Sequence, residues 1–166
     1  MNTPEYWINR LQLTQHEEGG WYKETYRSEI TAINDLPKSA FQSERSFCTA
    51  IYFLLQKDEK SHFHKIKSDE MWHFYYGSPI RIHIISPNGK YSTIIVGIDN
   101  NHNIVPQAIV PANYWFAAEC IDHTSFSLVG CTVSPGFDFS DFILASRESL
   151  TSEYSHLKDL ICRFTR

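Results

Sequence analysis

The chain predicts an all-β, antiparallel sandwich or barrel, with the jelly roll as the leading candidate, and short N- and C-terminal helices. Three observations carry that reading. About nine or ten short apolar or alternating segments follow one another from residue 21 to residue 144, bounded by Gly, Pro, Asn or Asp turns. Helix signals are confined to the two ends. Aromatic side chains (11 Phe, 9 Tyr and 4 Trp, 14% of the chain) favour pleated, half-buried surfaces. At 166 residues one domain is expected, with a helix and lead-in over 1–18, the barrel over 19–145 and a helical segment over 146–166.

The elements follow in order. Thr3 is placed to cap a first helix, with Pro4 at its first position and Glu5 in its first turn, and the helix should stop before Gly19-Gly20. Trp21–Ser28 alternates aromatic and polar residues as a strand does, and residues 31–44 are polar and loop-like. Ser46–Leu55 reads as a buried strand, and Lys57-Asp58-Glu59-Lys60 as a turn. Ser61–Lys65 and Glu70–Tyr76 are the next strands, closed by Gly77-Ser78-Pro79. Ile80, Ile82 and Ile84 alternate with Arg81 and His83, which points His83 toward solvent. Asn88-Gly89 predicts a hairpin into Tyr91–Val96, and Asp99-Asn100-Asn101 a further turn. Ile104–Val110, Tyr114–Ala118, Thr124–Val133 and Phe137–Leu144 complete the strands. Ser146 can cap the last helical segment, whose apolar stripe is Leu157, Leu160 and Ile161.

Residues 61–77 hold the chemistry. On a strand, residues i and i+2 face one side, so His62 and His64 should project together, about 7 Å apart at Cα. A turn returns Glu70 on the next strand, and two imidazoles with one carboxylate can form a facial triad for a divalent metal. Glu70, Trp72 and Phe74 share one face of their strand, and Met71, His73 and Tyr75 the other. Tyr22, Glu24 and Tyr26 likewise share a face, opposite Lys23, Thr25 and Arg27.

The spacing of His62, His64, Glu70 and Gly77 resembles the first motif of the cupin superfamily. Five residues lie between His64 and Glu70 where that motif has three or four, and the leading Gly is missing. In the second motif, Pro111-Ala112-Asn113 stands at Pro-x-Gly and Phe116 at the fourth metal ligand, which Phe cannot supply. The blocks HEEGGWYKETYRS (16–28), HFHKIKSDEMWHFYYG (62–77), VPANYWFAAE (110–119) and SLVGCTVSPGFDFSDFILA (127–145) resemble the small single-domain proteins of cupin superfamily five. That resemblance spans nearly the whole chain. It implies an RmlC-like jelly roll, often dimeric, similar in fold to sugar-nucleotide epimerases, and it favours His64 and Glu70 over His62 as the core of the site.

His64 and Glu70 are therefore the candidate acid–base pair, since a neighbouring carboxylate tunes an imidazole near neutrality. Trp72, Phe74 and Phe116 should wall the pocket for a planar or carbohydrate-like ligand, with His62 at its mouth. Arg27 is the candidate fork for an anionic group. His62, His64 and Glu70 are the candidate ligands of a divalent metal, an incomplete set. No ligand role falls to His83, His102 or His156.

Composition narrows the function. Fifteen Lys and Arg against 19 Asp and Glu give a net charge of −4 without a basic run, which argues against nucleic-acid binding. The longest apolar stretch, Ala50–Leu55, is too short for a membrane helix. The first ten residues lack a signal-peptide layout, so a cytoplasmic protein with reduced Cys48, Cys120, Cys131 and Cys162 is expected. A homodimer would cover open sheet edges. The expected function is an isomerase- or epimerase-type enzyme on a carbohydrate-like small molecule; the alternatives are a non-catalytic ligand-binding protein and a metal-dependent oxygenase.

Overall fold

A computed structural model describes residues 3–32, 41, 43–99 and 103–166. The N-terminal helix α1 (Pro4–Leu11) begins at Thr3, whose hydroxyl accepts the Tyr6 amide at 3.2 Å. It ends where Gln12 turns left-handed, at φ 55°.

Fourteen strands follow among the described residues: β1 (Thr14–Gln15), β2 (Trp21–Arg27), β3 (Thr31–Ala32), β4 (Arg45–Ser46), β5 (Thr49–Gln56), β6 (Lys60–Lys65), β7 (Asp69–Gly77), β8 (Ile80–Ile85), β9 (Tyr91–Val96), β10 (Ile104–Val105), β11 (Gln107–Val110), β12 (Trp115–Cys120), β13 (Phe126–Ser134) and β14 (Ile143–Leu144). The chain closes with α2 (Arg147–Glu153) and α3 (Lys158–Arg163).

One six-stranded sheet runs β1-β2-β5-β13-β7-β11 and a second β10-β9-β8-β12-β6-β14. Apart from β1–β2 and the β8–β9–β10 run, strands adjacent in space are not consecutive in sequence, and every pairing within the two sheets is antiparallel except β9 with β10. This is the expected jelly roll, with two sheets packed face to face rather than bonded into one closed ring. Between them lies the main core, including Phe53, Leu55, Trp72, Ile80, Ile82, Phe116 and Val129. The terminal segments cover two outer faces. Leu150, Ile161 and Phe164 pack on Phe63, Ile85 and Trp115. Trp7, Ile8 and Leu11 pack near Leu54 and Leu128.

Three sequence expectations change. His83 does leave the inner core, but it is only 3% exposed because the C-terminal segment covers that face, with Phe164 at 4.5 Å between ring centroids. Its Nε2 meets Glu119 at 3.1 Å and its Nδ1 the Tyr91 hydroxyl at 2.7 Å. Residues 137–144 are not one strand: Asp138 caps a 3-10 turn at Phe139–Asp141, accepting the Ser140 amide at 2.8 Å, and only Ile143–Leu144 pairs. The buried strand begins at Thr49, after the short β4. Most of residues 31–44, the turn at Asn100-Asn101 and His102 lie outside the described residues.

Candidate functional site

A cavity of about 290 Å³ opens at one end of the two sheets. Residues of β2, β5, β6, β7 and β13 line it, and the segment 137–142 roofs it with Phe137, Phe139 and Phe142. That roof is fastened at three points. Thr49 Oγ1 accepts the Phe137 amide at 2.9 Å, Arg27 Nη1 donates to the Phe137 carbonyl at 3.1 Å, and Arg45 holds Asp141 through two bonds of 2.7 and 2.8 Å.

β-Bulges decide which side chains reach the cavity. On β6, Ser61 pairs with Ala118 and His64 with Phe116, so three steps on one strand match two on the other. The extra residue puts Ser61, rather than His62, on the face of His64. A second irregularity on β2 lies between Glu24 and Tyr26. It brings Arg27 onto the face of Glu24, and both line the cavity, while Tyr26 is exposed.

His64 is 2% exposed. Its Nδ1 lies 2.8 Å from the His62 carbonyl, an acceptor only, so Nδ1 carries the proton and Nε2 offers its lone pair. Nε2 lies 3.1 Å from Oε2 of Glu18, a residue not expected in the site. The Ser61 hydroxyl donates to the other Glu18 oxygen at 2.7 Å. His62 anchors Glu18 from behind: its backbone amide and its Nδ1–H both donate to the Glu18 carbonyl, at 2.8 and 2.6 Å. Gly19 lets this loop lie against β6. Its φ is +108°, and a Cβ there would run into the Lys60 carbonyl oxygen.

Burial sets the charge of these groups. It holds His64 below the ordinary imidazole range, against the partial pull of Glu70. It pushes Glu18 up, against the pull of His16 and the Ser61 hydrogen bond. Glu70 rises to about 7 because burial outweighs His64, and the Cys131 thiol donates a hydrogen bond to it. At 3.1 Å the Glu18 carboxyl and His64 Nε2 are placed to share one proton, and burial opposes the charged form of both groups. His16 is held below its usual range by burial too, and its Nδ1 accepts the Glu18 amide at 3.2 Å.

The expected residues divide accordingly. His64, Glu70, Trp72 and Arg27 line the cavity. Phe116 sits behind it, its ring centroid 4.0 Å from that of His64. Phe74 shares the inward face of Glu70 and Trp72 but packs against the core beyond the cavity. His62 is turned out of the cavity by the bulge and lines a separate surface pocket with Lys60, Arg163 and Arg166. Arg27 is already engaged: Nε and Nη2 bond Glu24 at 3.0 and 2.7 Å.

The expected metal set does not form. Among the described residues no three His, Cys, Asp or Glu side chains are arranged to hold a metal ion. His62 is spent on Glu18, and Phe116 occupies the fourth position, so the residues present do not fit the metal of other cupins. Sequence reasoning also missed Glu18, His16 and Cys131. The acids before Gly19-Gly20 were a visible signal, but nothing local marks a carboxyl that will be buried.

Fold and site together define a jelly-roll protein of the cupin class. The chain belongs to the family described as Cupin superfamily (DUF985), whose model matches residues 5–145. It is 31% identical to the protein YML079W of Saccharomyces cerevisiae over 159 residues, which cover 90% of this chain and 77% of that one. Among solved structures, SO0799 from Shewanella oneidensis has a TM-score of 0.90 at 39% identity, covering 100% of this chain and 99% of that one. A protein from Leishmania major has a TM-score of 0.88 at 33% identity, covering 99% of each chain.

Proposed function

We propose that the protein is an acid–base enzyme acting on a small polar molecule in this cavity, by proton transfer next to a carbonyl group. The observation that supports this best is the arrangement of two buried carboxyl groups, Glu18 and Glu70, about one neutral imidazole with a locked tautomer. Glu70, titrating near neutrality, takes a proton from the carbon beside the carbonyl. The Glu18–His64 pair, which shares one proton, delivers it to the other face of the enolate carbon, and the proton gained by Glu70 returns to the pair through solvent after product leaves. No net charge is left behind, and the product is an isomer or epimer. The size of the cavity and its aromatic lining suit a carbohydrate-like skeleton, and the likeness to sugar-nucleotide epimerases is one of fold alone.

The test is solvent exchange. The chain is incubated in D2O with a panel of aldoses, ketoses and α-amino ketones, and loss of the proton signal beside each carbonyl is followed by NMR. Wild type is expected to exchange at least one compound, and His64→Gln to lose that exchange by about 10²-fold or more while keeping its fold. Equal exchange by both proteins, or none by wild type across the panel, overturns the reading. Aromatic walls favour a second reading, a non-catalytic ligand-binding protein. That reading predicts a ligand that raises Tm without any exchange.

A further inference from the structure

The cavity's charges point to one class of ligand. Its described lining holds three carboxyl groups, Glu18, Glu24 and Glu70, and one fixed cation, Arg27. Arg27 and Glu24 cancel one another at the mouth, and the third arm of the guanidinium is committed to the Phe137 carbonyl. Burial opposes the charged form of both imidazoles that line the cavity. Glu18 is satisfied by Ser61 and His64. Glu70 is left with only the weak Cys131 thiol donor and no cation, 8% exposed. An entering anion would meet carboxyl groups and no free positive charge.

The room around Glu70 is a second, independent observation. Six aromatic rings line the cavity, those of Tyr22, Phe53, Trp72, Phe137, Phe139 and Phe142. Rings of this kind attract cations through their quadrupoles, most strongly where water is excluded. A carboxyl group whose ionisation is opposed by burial gains its missing counter-charge when a cation arrives.

We propose that the cavity takes a cationic ligand, a primary or quaternary ammonium group on a small carbon skeleton, with Glu70 as counter-ion and the aromatic rings as its cage. The inference rests on the reading of this cavity as the ligand site and names what that reading left open. A positive charge beside the reacting carbon also acidifies its C–H bond, which agrees with the chemistry proposed above.

Three compounds of nearly one shape test it: choline, its neutral isostere 3,3-dimethylbutan-1-ol, and 3,3-dimethylbutanoate. Binding to the wild-type chain is measured by calorimetry below pH 7. Choline is expected to bind at least about tenfold more tightly than the alcohol, a difference of about 1.4 kcal/mol, with no binding of the anion. Choline binding is expected to release protons, seen as a heat that changes with the ionisation enthalpy of the buffer. Glu70→Gln should sharply reduce the preference and abolish the proton release, and Phe139→Ala should weaken choline more than the alcohol. Equal or tighter binding of the alcohol or the anion overturns the proposal, as does a preference or proton release left unchanged by Glu70→Gln. His64→Gln should keep the preference while losing exchange, so the two readings fail separately.

Discussion

Burial acts on His64 and Glu70 in opposite directions, favouring the neutral form of each. For Glu70 this has a measurable consequence. Its carboxyl has the ordinary glutamate value of 4.5 when unfolded and is pushed up to about 7 by burial in the fold. Between those values the folded chain holds a proton that the unfolded chain has released. The stability this group supplies is therefore complete below its unfolded pKa and is lost as pH rises toward 7. Glu70→Gln should gain on wild type across that window, by up to about 3 kcal/mol, in urea denaturation at a series of pH values. A difference that stays flat with pH would show that Glu70 is not protonated in the fold. His62, by contrast, bonds the Glu18 carbonyl, and in the proposed reaction it acts only by positioning Glu18. Its replacement by Gln should slow exchange through a displaced Glu18 while leaving the pH dependence of Glu70 in place.

At the scale of elements, the site depends on two irregularities and one loop. The bulges on β6 and β2 choose Ser61 over His62 and Arg27 over Tyr26 as neighbours of the cavity. The loop before β2 carries Glu18 to His64 because Gly19 can lie flush on β6. Gly19→Ala should cost more than about 1 kcal/mol and should also slow the exchange reaction. Gly77→Ala, strained at φ +95° against the Phe126 carbonyl and outside the cavity lining, should cost stability alone. Denaturation and exchange measured on both variants separate strain from misplacement of the carboxyl. The roof gives a further prediction. Arg45 and Asp141, each 4% exposed, form a buried bidentate pair. Arg45→Met should cost about 3–5 kcal/mol by urea denaturation, since it leaves the Asp141 charge buried with Lys67 as its remaining cation.

For the whole molecule, the two sheets supply a core that surrounds the cavity, and the C-terminal segment supplies a cover. Leu150, Ile161 and Phe164 bury the outer face of β6, β8 and β12, over the polar contacts of His83 with Glu119. A chain ending at residue 145 would uncover that apolar cluster and the buried His83–Glu119 pair. Each large apolar side chain contributes about 1.5–3 kcal/mol, so this truncation should lower Tm steeply and bind a hydrophobic dye. A truncated chain as stable as the full one would show that the segment is only an appendage.

Read alone, the sequence determined the jelly roll, the terminal helices and the inward face of Glu70 and Trp72. Those follow from local rules: alternation along a strand, turn residues and caps act over a few positions, and the His-x-His spacing carries the family pattern. Only the tertiary structure decided that His62 leaves the cavity, that Arg27 enters it already paired, that His83 is covered, and that Glu18 reaches His64. The reason is physical. One extra residue in a bulged strand exchanges its faces, and the partner strand that defines the bulge lies far along the chain. Burial, which shifts His16, Glu18, His64 and Glu70, exists only once the sheets have packed.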